Sequence, residues 1–445
     1  MENEQLLGAS NKFFYYAMSQ GASFNIRIEL TVPGLEPEKL KEAFSEALRY
    51  YPEMAVQVVI KDNKLTSVRN DAPILLTQDD RTVRHFGTKD TNGYLFYVIC
   101  REDGFTFSYY HGMTDVAGIL EFIRCVMYLY AKRTGFAFTR EEIDEIEASI
   151  RLDEKVFREG DKEDLLDPYN AHKDAGAIPE FILENEAAFD IPATTYPDEA
   201  EYIHESIITV KTSEVLAKTK EFGVSVMPFL TDVCSMAIRK EYCPGQMPVI
   251  AMVPVNLRPF LNSKTTVNCS DGVMIPVHEE DEELGIRERC LKWKDLLRKQ
   301  MSENAFKKLV ASKAGAVETF EKEEVPIASI AKEMTKVSHS GESSVLSYAM
   351  TYPGNLSLLS GLDRMVEDCR VKGLTRANAV IVHSFKENMR LQVICRTDDN
   401  RLAECIAKAF SDINISSEMI DNKRVFPDLM LVEELEDFYG NSKQG

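Results

Sequence analysis

The chain has 445 residues, 44% hydrophobic and 28% charged, with 72 acids against 52 bases for a formal charge of −20. That length suits two lobes rather than one average core, and so acidic a surface repels phosphate backbones and excludes nucleic acid as an expected partner. No apolar run is long enough to span a bilayer: the longest, Val116 to Tyr130, is interrupted by Glu121 and Arg124.

The nine cysteines are scattered singly, with no CxxC pair, so zinc ligation is not expected. The opening MENEQLLGASNKFFYY lacks the basic-then-apolar order of a secretory leader. Free thiols in a reducing cytoplasm are the expectation.

Residues 24–33 alternate apolar and polar side chains and predict a strand. A helix follows: Pro37 suits its first turn, Leu40, Phe44, Ala47 and Tyr51 share one face, and Pro52 stops it. Residues 54–70 predict a hairpin turning at Asp62-Asn63, and 94–110 a second, turning at Asp103-Gly104. The second strand of that pair ends at His111. Beyond it, Val116, Ile119, Leu120, Ile123, Met127 and Leu129 repeat at near-helical spacing. His111 thus stands at a strand end and Asp115 in the first turn of a helix, a junction that rigid elements fix on both sides.

From about 150 to 202 the pattern fades into Pro- and Asp-rich chain, expected to cross between lobes with one or two short helices. The second half resumes with a strand at 202–211, helices at 212–222 and 223–242, and a buried strand, PVIAMVPVNLRPF, that ends in an arginine. A charged helical region around Trp293, further strands within 345–359 and 376–398, and a closing helix, LAECIAKAFSDI, complete the chain. The pattern predicts a mixed α/β fold of two lobes, 1–165 and 203–445, joined by a crossover at 166–202.

Four stretches occur in an informative order: LEPEKLKEAFSEALRYYPEM, HGMTDVAG, VPVNLRPF and TYPG. The second matches an HxxxD pattern, and together they resemble the chloramphenicol acetyltransferase-like superfamily, which includes peptide condensation domains and alcohol O-acetyltransferases. Three positions depart from the common pattern. Tyr110 stands where a first histidine is usual, Val116 where a glycine follows the aspartate, and Tyr352 where the alcohol acetyltransferase branch has asparagine.

The resemblance implies two lobes, each a mixed sheet flanked by helices, with a tunnel between them. It implies an acyltransferase that uses acyl-coenzyme A as co-substrate, holds no permanent cofactor or metal, and acts on a small hydroxyl or amine acceptor. By the same resemblance His111 is the general base, Asp115 and Arg258 pair to shape its loop, and Thr351, with Ser347 in reserve, donates to the oxyanion. Asn256 and Asn268 are expected to add supporting hydrogen bonds. A single chain supplying both sides of the tunnel implies a monomer. Two rivals remain: an amide-forming condensation enzyme fed by a carrier protein, and a binding protein of this fold without turnover.

Other conspicuous residues have plainer readings. His383 alternates with apolar residues and reads as a satisfied core histidine, while His204, His278 and His339 read as surface. The aromatic run Phe13, Phe14, Tyr15 and Tyr16 reads as core packing ahead of an acceptor pocket, and the acids of 278–288 as a solvated face.

Overall fold

The computed structural model describes residues 7–16, 25–61, 64–78, 84–153, 162–174, 176–192, 203–322, 329, 345–375, 377–397 and 399–425. It shows a two-lobed mixed α/β architecture. The strands are β1 (Asn25–Thr31), β2 (Val56–Lys61), β3 (Lys64–Arg69), β4 (Leu76–Thr77), β5 (Phe96–Arg101), β6 (Gly104–Tyr110) and β7 (Ile203–Lys211). They continue as β8 (Val249–Asn256), β9 (Ser270–Val277), β10 (Tyr348–Thr351), β11 (Asp368–Leu374), β12 (Ala379–Phe385), β13 (Asn388–Cys395) and β14 (Ser417–Val425). Three helices matter most for the site: α1 (Ala9–Tyr16), α2 (Pro37–Tyr50) and α3 (Val116–Thr134).

The first sheet runs β11-β1-β6-β5-β4, and the second runs β14-β7-β13-β12-β10-β8-β9. Each backs a separate apolar core. In the first core α2 carries Pro37 in its first turn and buries Leu40, Ala43, Phe44, Ala47 and Leu48 on one stripe. Phe44 stacks on Phe107 of β6 with ring centroids 5.6 Å apart. Helix α3 is capped by Asp115 and closed by Gly135 at φ 74°.

Four strands, β4, β9, β11 and β14, carry no clear signal in the sequence. The β5–β6 register pairs Arg101 with Gly104, so the turn residues are Glu102 and Asp103, one position earlier than expected. Gly104 belongs to the strand because a Cβ there would lie 2.0 Å from the Leu30 carbonyl oxygen of β1. The helix read as closing the chain is followed by β14, which pairs with β7. The expected turn at Asp62-Asn63 lies outside the described residues, although Lys61 and Lys64 pair on either side of it.

The strand that most shapes the molecule is β11. Residues 368–374, grouped by sequence with the second lobe, form the edge of the first sheet by pairing antiparallel with β1 along its whole length. Leu356, Leu358, Leu362, Val366, Cys369, Val371 and Leu374 all enter the first core. Gln392 of β13 grips the Gly373 backbone from the second sheet, accepting from its N–H at 2.8 Å and donating to its carbonyl at 3.1 Å. The two sheets are thereby stitched together. No single helix among the described residues is long and apolar enough to cross a membrane.

Candidate active site

His111 follows β6 directly, in the tight connection to α3. Gly112 after it permits the turn, since a Cβ there would fall 2.3 Å from the Tyr110 ring. Tyr110 itself is buried, and its hydroxyl donates to the Phe14 carbonyl at 2.9 Å. The residue in place of the usual first histidine therefore anchors α1.

The His111 ring is half-buried. Its Nδ1 lies 3.0 Å from the Thr114 carbonyl oxygen. The Asn268 amide nitrogen lies 3.3 Å from the same Nδ1. The Thr114 carbonyl is nearer and can only accept, so the proton is assigned to Nδ1 and the lone pair to Nε2. Asn268, from the second half of the chain, donates to the His111 carbonyl at 3.0 Å. Its amide orientation is set because Oδ1 accepts from Ser270 N at 3.3 Å and Ser270 Oγ at 3.0 Å. Phe14 of α1 packs on the ring with centroids 5.1 Å apart. Burial lowers the pKa of His111, and the bond to Thr114 and the charge of Asp115 oppose that without overcoming it. The ring is thus neutral near pH 7 and able to accept a proton.

Asp115 does not touch the ring. Its Oδ1 caps α3 by accepting from Gly118 N at 2.9 Å. Its Oδ2 accepts from Arg258 Nη1 at 2.8 Å and from Cys269 N at 2.9 Å. Burial works to raise the Asp115 pKa, but the Arg258 charge and these bonds outweigh it, and the carboxyl stays below its usual range. Arg258 completes its fork on Thr265 O at 2.7 Å, Val267 O at 2.8 Å and Asn256 Oδ1 at 3.1 Å. The arginine that ends the buried strand in the sequence therefore pins the 265–269 segment and the His111 loop to the same point.

Thr351 ends β10, which runs parallel to β8 with Tyr348 opposite Ala251. It is partly exposed, and its hydroxyl makes no hydrogen bond among the described residues. The turn after it needs Gly354, at φ 92°. Ser347 lies before the start of β10, buried, and its hydroxyl accepts from Ile250 N at 3.1 Å.

Other expectations shift. His383 is buried, but neither ring nitrogen has a partner among the described residues. His204 is buried rather than on the surface, 3.2 Å from Asp421. His278 is part-exposed and faces Glu186, while His339 lies outside the described residues. In the acidic stretch 278–288, Asp281 is buried and bonds Lys292 and the His278 N–H. Among the aromatics Tyr15 is core and Phe14 faces His111; the side chains of Phe13 and Tyr16 lie outside the described residues. A cavity of about 720 Å³ opens behind α1, lined by Gly8, Lys12, Asp167, Asn170, Val317 and Glu321.

Missed in the sequence were Thr114 and Thr266, whose hydroxyl-to-carbonyl bond joins the His111 loop to the second lobe. Only the four-residue spacing from His111 to Asp115 hinted that the residues between them are held in a fixed turn.

No protein-family model and no curated protein matches the sequence. Solved structures do match in shape. TRI101 from F. graminearum, complexed with coenzyme A and deoxynivalenol, superposes with a TM-score of 0.60 at 13% identity, over 94% of this chain and 100% of that one. The polyketide synthase associated protein 5 from Mycobacterium tuberculosis gives 0.57 at 12% identity, over 93% and 98%. The chain shares its fold with these proteins. A starter condensation domain, from the rhizomide synthetase RzmA, matches at 0.50 and 11% identity over 92% and 96%. The shared fold thus spans nearly the whole chain.

Proposed function

We propose that this protein is an acyltransferase that moves an acyl group from acyl-coenzyme A to a hydroxyl or amine acceptor, with His111 as general base. The observation that carries the reading is the commitment of His111 Nδ1–H to Thr114, which leaves Nε2 unprotonated. Coenzyme A bound by the TRI101 neighbours supports the choice of donor.

In this mechanism Nε2 takes the proton of the acceptor as its oxygen or nitrogen attacks the thioester carbonyl. The carbonyl becomes an oxyanion, and the Thr351 hydroxyl is the proposed donor to it; losing such a donor typically costs about a hundredfold or more in rate. Collapse breaks the carbon–sulfur bond. The imidazolium returns its proton to the departing thiolate, which leaves as free coenzyme A. No enzyme nucleophile is required, because the acyl group arrives activated. Asp115 and Arg258 hold the loop and stay outside the proton path.

Nine unpaired cysteines suit the cytoplasm proposed for the protein, and one chain supplying both lobes suits a monomer. The condensation-domain neighbour supports a second reading, in which a carrier protein presents the thioester and an amide forms. Purified protein is incubated with acetyl- and longer acyl-coenzyme A and a panel of alcohols and amines, and acylated products are read by mass spectrometry. Product from coenzyme A thioesters supports the proposal. Product only from acyl groups loaded on a carrier protein moves it to the second reading, and none from either donor leaves a binding protein.

A further inference from the structure

Residues 265–269 cross from the second lobe to the back of the base loop, and every member of this strap is tied down. Thr265 Oγ1 donates to Leu165 O at 2.7 Å, and Cys269 N reaches Asp115. Thr266 sits at its centre and bonds in two directions. Its carbonyl accepts from the Thr114 hydroxyl, and the Thr114 carbonyl in turn accepts from His111 Nδ1. Its hydroxyl donates to Glu53 and accepts from Arg151 Nη2 at 2.6 Å.

Glu53 and Arg151 form an ion pair sealed from solvent, with side chains 1% and 11% exposed. The Arg151 guanidinium carbon sits over the Tyr51 ring, 4.1 Å from its centroid. The Arg151 N–H donates to the Tyr51 hydroxyl at 2.8 Å, and that hydroxyl donates to Glu121 at 3.1 Å. The pair is thus locked into the first lobe just beyond the end of α2. An independent feature shows how closely the strap is seated: a Cβ on Gly118, in the first turn of α3, would lie 2.1 Å from the Thr266 carbonyl oxygen and 2.5 Å from Thr114 Oγ1.

We propose that Glu53, Arg151 and Thr266 are positioning residues for His111: the buried pair sets the strap, and the strap sets the carbonyl that orients the imidazole. None of the three touches the ring, and the proposal rests on the reading of His111 as the base. The chain of contacts is short and each link is directional, so a displaced strap frees the ring to rotate or change tautomer. A misplacement of about 1 Å at a reacting group typically costs on the order of a hundredfold in rate.

The test has two arms. In the first, no substrate is present. Protein labelled with ¹⁵N-histidine is studied by NMR, with the His111 signals assigned from a His111→Gln variant. The wild type shows the Nδ1–H tautomer. Thr266→Val, which keeps the carbonyl and removes the hydroxyl, is expected to show mixed tautomers, and Thr266→Ser to restore the wild-type signals. Should Thr266→Val not fold, Glu53→Gln makes the same test at nearly equal volume. In the second arm kcat for acyl transfer falls at least tenfold in Thr266→Val, while KM for acyl-coenzyme A stays within twofold. Folded variants whose His111 signals match the wild type would overturn the proposal. A wild type without transfer activity overturns the acyltransferase reading and leaves the NMR arm to decide on the strap.

Discussion

Asp115 and Arg258 are 143 positions apart in the chain and 2.8 Å apart in the fold. Both are nearly buried, and each also bonds backbone of the 265–269 segment: Asp115 accepts from Cys269 N, and Arg258 donates to Thr265 O and Val267 O. The pair therefore acts as a rivet through the two lobes, with the His111 loop under its head.

Removing one side of the rivet strands the other charge in a dry site. Asp115→Ala is expected to lower the unfolding free energy by roughly 3–5 kcal/mol, measured by urea denaturation. Replacing both partners, as Asp115→Leu with Arg258→Met, is expected to recover a large part of that loss, because no uncompensated charge remains. Recovery of stability without recovery of activity would separate the structural role from the proton transfer.

Gly118 offers a sharper steric test. Alanine gains helix propensity over glycine by up to about 1 kcal/mol, but here its Cβ would collide with the Thr266 carbonyl, a backbone atom that cannot swing aside. The clash wins, and Gly118→Ala is expected to destabilise by roughly 1–3 kcal/mol, read as a lowered melting temperature. An unchanged or raised value would mean that the strap is not seated on α3.

The strap was the least legible part of the sequence. HGMTDVAG, VPVNLRPF and the helix ending in Tyr51 could be read because each has an internal pattern: strand alternation, helical spacing, a proline stop. Thr266 and Glu53 have none. Each is an ordinary polar residue whose importance comes from a partner more than a hundred positions away. β11 escaped for a related reason. Its sequence, DCRVKGL, alternates weakly, and nothing local states that it joins the sheet of the other lobe.

His383 shows a converse error. Alternation placed it correctly on a buried strand, but pattern does not report hydrogen bonds, and neither ring nitrogen has a partner among the described residues. Burial, and then the nearby Arg390, push its pKa down to about 3, with Arg370 and Lys372 adding to this and Asp368 opposing it. Below pH 6.5 the unfolded ring gains a proton that the folded ring refuses. Stability is therefore lost as pH falls, by about 1.4 kcal/mol per pH unit from this residue. His383→Leu, close in volume, is expected to be neutral or stabilising at pH 7 and to flatten the acid side of the stability curve. Chemical denaturation between pH 4 and 7 reads both effects; an unaltered slope would show that the ring does not resist protonation.

The pH dependence of activity should carry the mark of His111. Its lowered pKa keeps the ring in the base form below the usual imidazole range, so the acid limb of kcat/KM is expected to have its midpoint under 6.5. An acid limb centred above 6.5 would assign the essential base to another group.

The most direct measurement is thiol release from acyl-coenzyme A in the presence of an accepting alcohol or amine, compared between the wild type and His111→Ala, both verified as folded by circular dichroism. The account predicts acceptor-dependent release by the wild type and a loss of at least a hundredfold in the variant. Equal release by the two proteins would contradict it, because the proton would then leave the acceptor without this imidazole.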